Sequence, residues 1–252
     1  MIKRLQKLSL DYLFPITCLG CGRLRLWLCP ACFLRLPFKA GQLCLACHSP
    51  SRSGEFCPTC APEQDYEGAF AAGDYNDPLL SDLIKKFKFQ GLKDLGRPLG
   101  AFLMAAINAS QAPWPEFLKQ ILGAAVRRQQ FSDFLKTKPL IIPIPLSRSR
   151  LRRRGYNQAE ILAENFSALT GLALRNDYLV RTKDRPPQSK LTAAQRQANL
   201  HGCFAVQGQR PAKQNLLLLD DVVTTGATLA EAAKTLRQDN NSRIWALVLA
   251  RG

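Results

Sequence analysis

The sequence predicts an α/β domain built on a mainly parallel sheet, preceded by a small module of a different kind. Three observations predict it. From residue 69 to the C-terminus, short apolar runs alternate with segments whose apolar residues recur at helical spacing, the pattern of strands joined by crossover helices. Eight of the nine cysteines lie ahead of that pattern, within residues 18–60. Between the two parts, "APEQDYEG" reads as a linker, so the 252 residues divide into 1–65 and 66–252, each expected to have its own core.

The N-terminal "MIKRLQKLSLDYLF" is basic and then partly apolar. Asp11 interrupts the apolar part and no small-residue cleavage site follows, which argues against a secretory leader. Ile2, Leu5, Leu8 and Tyr12 share one face of a short docking helix. No apolar run is long enough to span a bilayer, so a cytoplasmic protein is expected.

The cysteines come as "CLGC", "CPAC", "CLAC" and "CPTC". Two intervening residues make a knuckle whose sulfurs and backbone N–H groups converge, and two knuckles supply the four thiolates of a tetrahedral zinc site. Seven residues separate the first two knuckles and nine the last two, and both gaps suit a hairpin. Sequential pairing therefore puts Cys18, Cys21, Cys29 and Cys32 on one zinc and Cys44, Cys47, Cys57 and Cys60 on another; interleaved pairing needs a longer excursion. A disulfide framework would need an oxidising compartment, to which the chain shows no route. With every position filled by sulfur, both sites are structural. Apolar residues among the knuckles are few and scattered, so the metal is expected to hold this region together. His48 could substitute as a ligand but, directly after Cys47, reads as surface, and Cys203 reads as a buried small hydrophobe.

The later elements follow in order. "AFAAGDY" is a strand, "PLLSDLIKKFKFQG" a helix ending at Gly91, and "GRPLGAFLMAAINAS" a second helix. Residues 111–138 form an insertion with one or two helices, and "PLIIPIPL" is a strand closed by prolines. "GYNQAEILAENFSAL" is a helix ending at Gly171, and "LRNDYLVR" a strand. Residues 181–202 are polar and proline-bearing, a long loop of the kind that carries function. "CFAV", "NLLLLD" and "RIWALVLAR" are strands, and "ATLAEAAKTLRQ" is a helix between the last two.

"NLLLLDDVVTTGATL" carries the chemistry. In a parallel sheet, ligands sit beyond the carboxyl ends of the strands, and there the run delivers Asp220 and Asp221. The next helix starts near Ala227 or Thr228, and its unpaired first N–H groups favour an anion. Gly226 lets the backbone approach closely, and Thr224, Thr225 and Thr228 add hydroxyl donors. Two carboxylates beside a phosphate repel it unless they serve another part of the ligand, such as sugar hydroxyls, or unless Mg²⁺ on the ligand offsets the charge. A sugar phosphate meets these conditions. A nucleotide P-loop is excluded, since no Gly-Lys-Ser/Thr occurs here.

"LLLLDDVVTTGATL" resembles the phosphoribosyl-pyrophosphate (PRPP) motif of type I phosphoribosyltransferases. Nearly the whole chain resembles the ComF family of competence proteins, related to amidophosphoribosyltransferases. The resemblance takes in the cysteine knuckles, "IPIPLSRSRLRRRGYNQAEILA" and "RTKDRPPQSKLTAAQRQANLHGCF". It implies a double zinc ribbon before a type I phosphoribosyltransferase-like domain, and a role with single-stranded DNA in natural transformation. It also implies ribose hydroxyls on Asp220 and Asp221, the catalytic pair, and the 5′-phosphate on Thr224, Thr225, Gly226, Ala227 and Thr228. "PLSRSR" takes the place of the pyrophosphate loop, and residues 181–202 that of a mobile loop closing the site.

The net charge of +16 favours polyanionic partners. Residues 66–252 hold 27 basic against 15 acidic side chains, and Arg148, Arg150, Arg152, Arg153 and Arg154 lie within seven residues. Guanidinium forks grip phosphate in pairs, which suits a pyrophosphate or a DNA backbone, while a solvated helix start is the plain alternative. Tyr156 stacks a base or simply packs. Two functions remain open. One is a PRPP-binding protein of DNA uptake, with single-stranded DNA and uptake proteins as partners and Mg²⁺ bound with PRPP. The other is an active phosphoribosyltransferase of nucleotide or related metabolism with no DNA role.

Overall fold

The computed structural model describes residues 15–39, 41–111, 129–183, 201–209, 214–237 and 242–252. The N-terminal helix expected over residues 1–14 and most of the 111–138 and 181–202 segments lie outside them.

Four parallel strands form the central sheet: β3 (Gly68–Asp74), β4 (Leu140–Pro143), β7 (Leu216–Val223) and β8 (Ile244–Arg251), in the order β3-β8-β7-β4. Each is an almost unbroken apolar run because both faces of the sheet are covered. Leu217, Leu219, Trp245 and Leu247 meet α2 (Pro78–Phe89), α3 (Gly96–Gln111) and α6 (Gln158–Thr170) on one face. Leu216, Leu218, Ala246 and Val248 meet α7 (Ala227–Leu236) on the other. Asp77 caps the start of α2 by accepting the Leu80 N–H, and Asn157 caps α6 by accepting that of Ala159. Gly171, at φ +70°, closes α6 as the sequence indicates.

Among the described residues of the insertion, α4 (Gln129–Lys136) adds Phe131 and Phe134 to an aromatic group with Phe70 and Trp245. The arginine run forms its own helix, α5 (Arg148–Arg154), capped by Ser147 and ended by Gly155 at φ +77°. β5 (Leu179–Arg181) and β6 (Phe204–Val206) pair antiparallel at either end of the long polar segment. Among the described residues, no helix is long and apolar enough to cross a membrane.

The cysteine region contains a single-turn helix, α1 (Pro30–Phe33), and the two-residue strands β1 (Gln42–Leu43) and β2 (Pro50–Ser51). Its packing differs from the expected separate cores. Cys18, Leu28, Cys29, Cys32 and Leu36 join the face covered by α2, α3 and α6, while Cys44, Leu45, Phe56 and Tyr66 join the α7 face. The chain between the two halves runs along β3, the edge strand. There Lys39 N–H donates to the Ala72 carbonyl, and the Gln42 side-chain amide bonds both the Ala71 carbonyl and its N–H. Glu55 then bridges Gly68 antiparallel. Gly54 is required there, because a Cβ would collide with the Ala69 carbonyl oxygen. The module thus covers an edge that would otherwise offer unpaired backbone groups. The expected linker is also structured: residues Ala61–Glu63 make a 3₁₀ turn and Tyr66 is buried edge-on against Phe56.

Candidate functional site

The site lies at the carboxyl edge of the sheet. β7 does not stop at the aspartates, as the sequence reading has it, but continues to Val223, whose carbonyl accepts the Gly252 N–H at 3.0 Å. Asp221 is buried, and its Oδ1 lies 2.8 Å from Nζ of Lys88, near the end of α2. Oδ1 of Asp220 accepts the Asp221 N–H at 2.8 Å. Burial, and then the Asp221 charge, push the Asp220 carboxyl up to about 7, against the pull of Lys88, that N–H and Arg154.

Beyond Val223 the side chains of Thr224 and Thr225 are exposed. Gly226, at φ +75° and ψ 0°, opens α7, and among the described residues no side chain caps that helix start. Its first N–H groups therefore face the loop Thr224–Thr228 without a side-chain acceptor, as an anion site needs. A Cβ on Gly226 would sit 3.1 Å from the Tyr66 hydroxyl and 3.3 Å from Cδ1 of Leu45, so substitution here strains the backbone and crowds two neighbours at once. Leu45 stands inside the third cysteine knuckle, so the second cysteine set is packed against the loop. Arg251, buried at the end of β8, adds to this contact by donating to the carbonyls of Leu43 and Cys44 at 2.7 and 3.3 Å.

Helical spacing divides the arginines. Arg148, Arg152 and Arg153 are exposed, whereas Arg150 and Arg154, four residues apart, are half-buried. Arg154 donates to Oε1 of Gln158 at 2.8 Å, lies 4.9 Å from the centre of the Phe89 ring, and acts electrostatically on both aspartates. Tyr156 packs rather than stacks a ligand: it is buried against Phe87, and its hydroxyl donates to the Phe87 carbonyl.

Both cysteine sets assemble in the sequential pairing. The sulfurs within each set all lie within 4.8 Å of one another, with Cys21 and Cys29 at 3.6 Å and Cys47 and Cys57 at 3.6 Å. A tetrahedral zinc with bonds of about 2.3 Å requires sulfurs about 3.8 Å apart, so the two sets fit two structural zinc ions. Within each set the thiols diverge: burial and the neighbouring sulfurs push Cys32 up to about 12, and the Cys57 side chain and burial push Cys60 up to about 12, whereas others are pulled down. Burial raises the Cys18 thiol, but backbone N–H groups of Cys29, Gly20 and Cys21 outweigh it and bring it to about 6. The Ser49 side chain and N–H bring Cys47 to about 6. His48 is exposed, at φ +63°, and outside the ligand set, and Cys203 is buried, both as expected.

Comparison with known proteins places these features in one family. The double zinc ribbon domain matches residues 9–61. Competence protein F of Haemophilus influenzae is 31% identical over 241 residues, covering 88% of this chain and 96% of that protein. This chain belongs to the ComF family. The ComF chain is also 27% identical over 245 residues to the DNA utilization protein YhgH of Escherichia coli K12, covering 88% and 95% of the two. It is 27% identical over 220 residues to competence protein ComFC of Bacillus subtilis, covering 82% and 77%.

Several residues around the candidate site escape sequence reading. Lys88 sits in "KKFKF", where nothing separates an inward lysine from its solvated neighbours. Leu45, Tyr66 and Arg251 reach the loop or its support from positions far away in the chain. Only the apolar character of Leu45, between two metal ligands that already account for the local fold, hints at a packing role.

Proposed function

We propose that this ComF protein binds PRPP with Mg²⁺ and handles single-stranded DNA during its uptake. The observation that supports PRPP most is an aspartate pair at the carboxyl edge of a parallel sheet, followed by an exposed threonine turn that enters an uncapped helix. Asp220 and Asp221 accept the ribose hydroxyls. N–H groups at the start of α7 and the hydroxyls of Thr224, Thr225 and Thr228 donate to the 5′-phosphate, while Gly226 and Ala227 let it close on the backbone. Lys88 holds the Asp221 side chain in place until the sugar arrives. Arg150 and Arg154, the inward pair, suit the pyrophosphate; Arg148, Arg152 and Arg153 suit DNA phosphates.

Mg²⁺ would supply charge neutralisation on the leaving pyrophosphate. Among the described residues, the groups of three or more metal-ligating side chains are the two cysteine sets alone, so the ion would arrive on the phosphate oxygens of the ligand. The DNA role is supported by the names of the relatives, competence proteins and a DNA utilization protein, and by the basic surplus of residues 66–252.

Calorimetry with PRPP and Mg²⁺ tests the reading: the wild type binds, and the variant carrying Asp220→Ala and Asp221→Ala does not. Equal affinity in both would refute it. The intact carboxylate pair also favours a second reading, an active transferase without a DNA role. Pyrophosphate release from PRPP, measured with and without single-stranded DNA, separates the two.

A further inference from the structure

α2 ends on two phenylalanines with opposite fates. Phe87 is fully buried and its carbonyl receives the Tyr156 hydroxyl. Phe89, two residues on, is 63% exposed, more than any other large aromatic side chain among the described residues. A single exposed apolar side chain is ordinary on a surface. The surroundings of Phe89 are not. The Arg154 guanidinium lies 4.9 Å from its ring centre and is itself held by Gln158, so one aromatic face is backed by a fixed cation. The ring is linked to the carboxylate site through its neighbours: the preceding residue, Lys88, binds Asp221 at 2.8 Å, and Arg154, which lies over the ring, acts electrostatically on both aspartates. Lys93 lies over Tyr156, the ring packed on Phe87, and adds a second cation at this end of α2.

An accessible aromatic face among cations is how proteins hold unpaired bases: the ring stacks on the base while the cations take the phosphates. We propose that Phe89 is a stacking platform for a nucleobase at the entrance to the Asp220–Asp221 site. The platform rests on the reading of this site as one that meets PRPP and single-stranded DNA, and it names the chemistry that joins them. The base comes either from a DNA strand or from a free base or nucleotide.

Binding of an oligothymidylate and of an abasic oligomer of equal length, to the wild type and to Phe89→Ala, tests the platform. In the wild type, removing the bases weakens binding about fivefold to 150-fold, the range of one stacked base. Phe89→Ala binds the oligothymidylate more weakly by a similar factor, binds the abasic oligomer like the wild type, and keeps the wild-type salt slope, since no phosphate contact is lost. Phe89→Leu retains the apolar bulk and loses the stack, so it follows the alanine variant. The exposed position makes all three variants compatible with folding.

Phe89→Trp identifies the source: its added fluorescence, read against the three native tryptophans, is quenched by the oligomer alone for a strand, or also by a free base or nucleoside monophosphate for a small acceptor. If the wild type binds the oligothymidylate and Phe89→Ala binds it equally well, the platform is refuted while the DNA reading stands. If the wild type binds no oligomer and no free base quenches Phe89→Trp, both fall.

Discussion

The two zinc clusters of this chain are chemically alike and mechanically different. The first, Cys18 to Cys32, sits on the face of the sheet covered by α2, α3 and α6. A groove of about 520 Å³, lined by Trp27, Phe33, Arg97 and Pro98 among others, lies between it and α3. The second, Cys44 to Cys60, is tied down by buried polar contacts, with Gln42 on the backbone of β3 and Arg251 on the carbonyls of Leu43 and Cys44. It also presses Leu45 against Gly226. The same four-thiolate chemistry thus braces the face under α2, α3 and α6 in the first case, and the α7 face together with the Thr224–Thr228 loop in the second. What a structural metal does is decided by what its knuckle touches, since its own coordination is closed.

Removing one ligand from each cluster tests this difference most strongly. Cys21 and Cys47 are both exposed, so Cys21→Ser and Cys47→Ser perturb metal binding with little direct loss of packing. Elemental analysis should give two zinc ions per chain for the wild type and one for each variant, with melting temperatures well below wild type, since a structural zinc supplies on the order of 10 kcal/mol. Calorimetry should then show the larger loss of PRPP affinity in Cys47→Ser. Equal losses in both variants would remove the special place of the second cluster.

Leu45→Ala sharpens the comparison, because it leaves the cysteines in place. Loss of this buried side chain should cost about 2–5 kcal/mol of stability, with zinc content unchanged and PRPP affinity lowered through the loosened Gly226. A fully retained affinity would mean that the loop holds its shape unaided. At the ligand side of the same loop, Asp220→Ala and Asp221→Ala should each weaken PRPP binding by roughly 1.5–3 kcal/mol, as expected for one lost charge-assisted bond.

The arginines extend the test to DNA. Replacing Arg148, Arg152 and Arg153 by alanine should reduce the salt dependence of single-stranded DNA binding by about two units, at about 0.7 per phosphate, and spare PRPP. Replacing Arg150 and Arg154 should do the opposite. A substitution set that cut across both groups, such as residues 152–154, would blur the outcome.

A pH dependence follows from the same aspartate pair. The folded Asp220 carboxyl is raised to about 7, above its value in the unfolded chain, so the folded state holds the proton more tightly. The stabilisation this gives is complete below the unfolded pKa and is lost as pH rises towards about 7. Asp220→Asn keeps the oxygen that accepts the Asp221 N–H and cannot ionise. Thermal melts should show its advantage over the wild type growing between pH 4 and 7 and levelling off above; an advantage that shrinks over that interval would contradict the raised pKa.

The sequence by itself determined whatever has a local or periodic signature. Cysteine spacing set the ligand pairs of both zinc sites, because a knuckle is a local structure. Continuous apolar runs gave β3, β7 and β8, because a strand covered on both faces needs no alternation. The aspartate pair and threonine turn marked the loop, because chain order alone puts them between a strand and a helix start. The tertiary structure decided the rest. Which arginines face inward was hidden, since "RSRLRRR" has only Leu151 as an apolar marker and so shows no helical phase. Lys88 reaches Asp221, Arg251 reaches Cys44 and Leu45 reaches Gly226 across more than 100 residues of chain. Such contacts leave no pattern in either segment, because they arise only when the sheet brings its carboxyl edge, the helix ends and the second zinc cluster to one place.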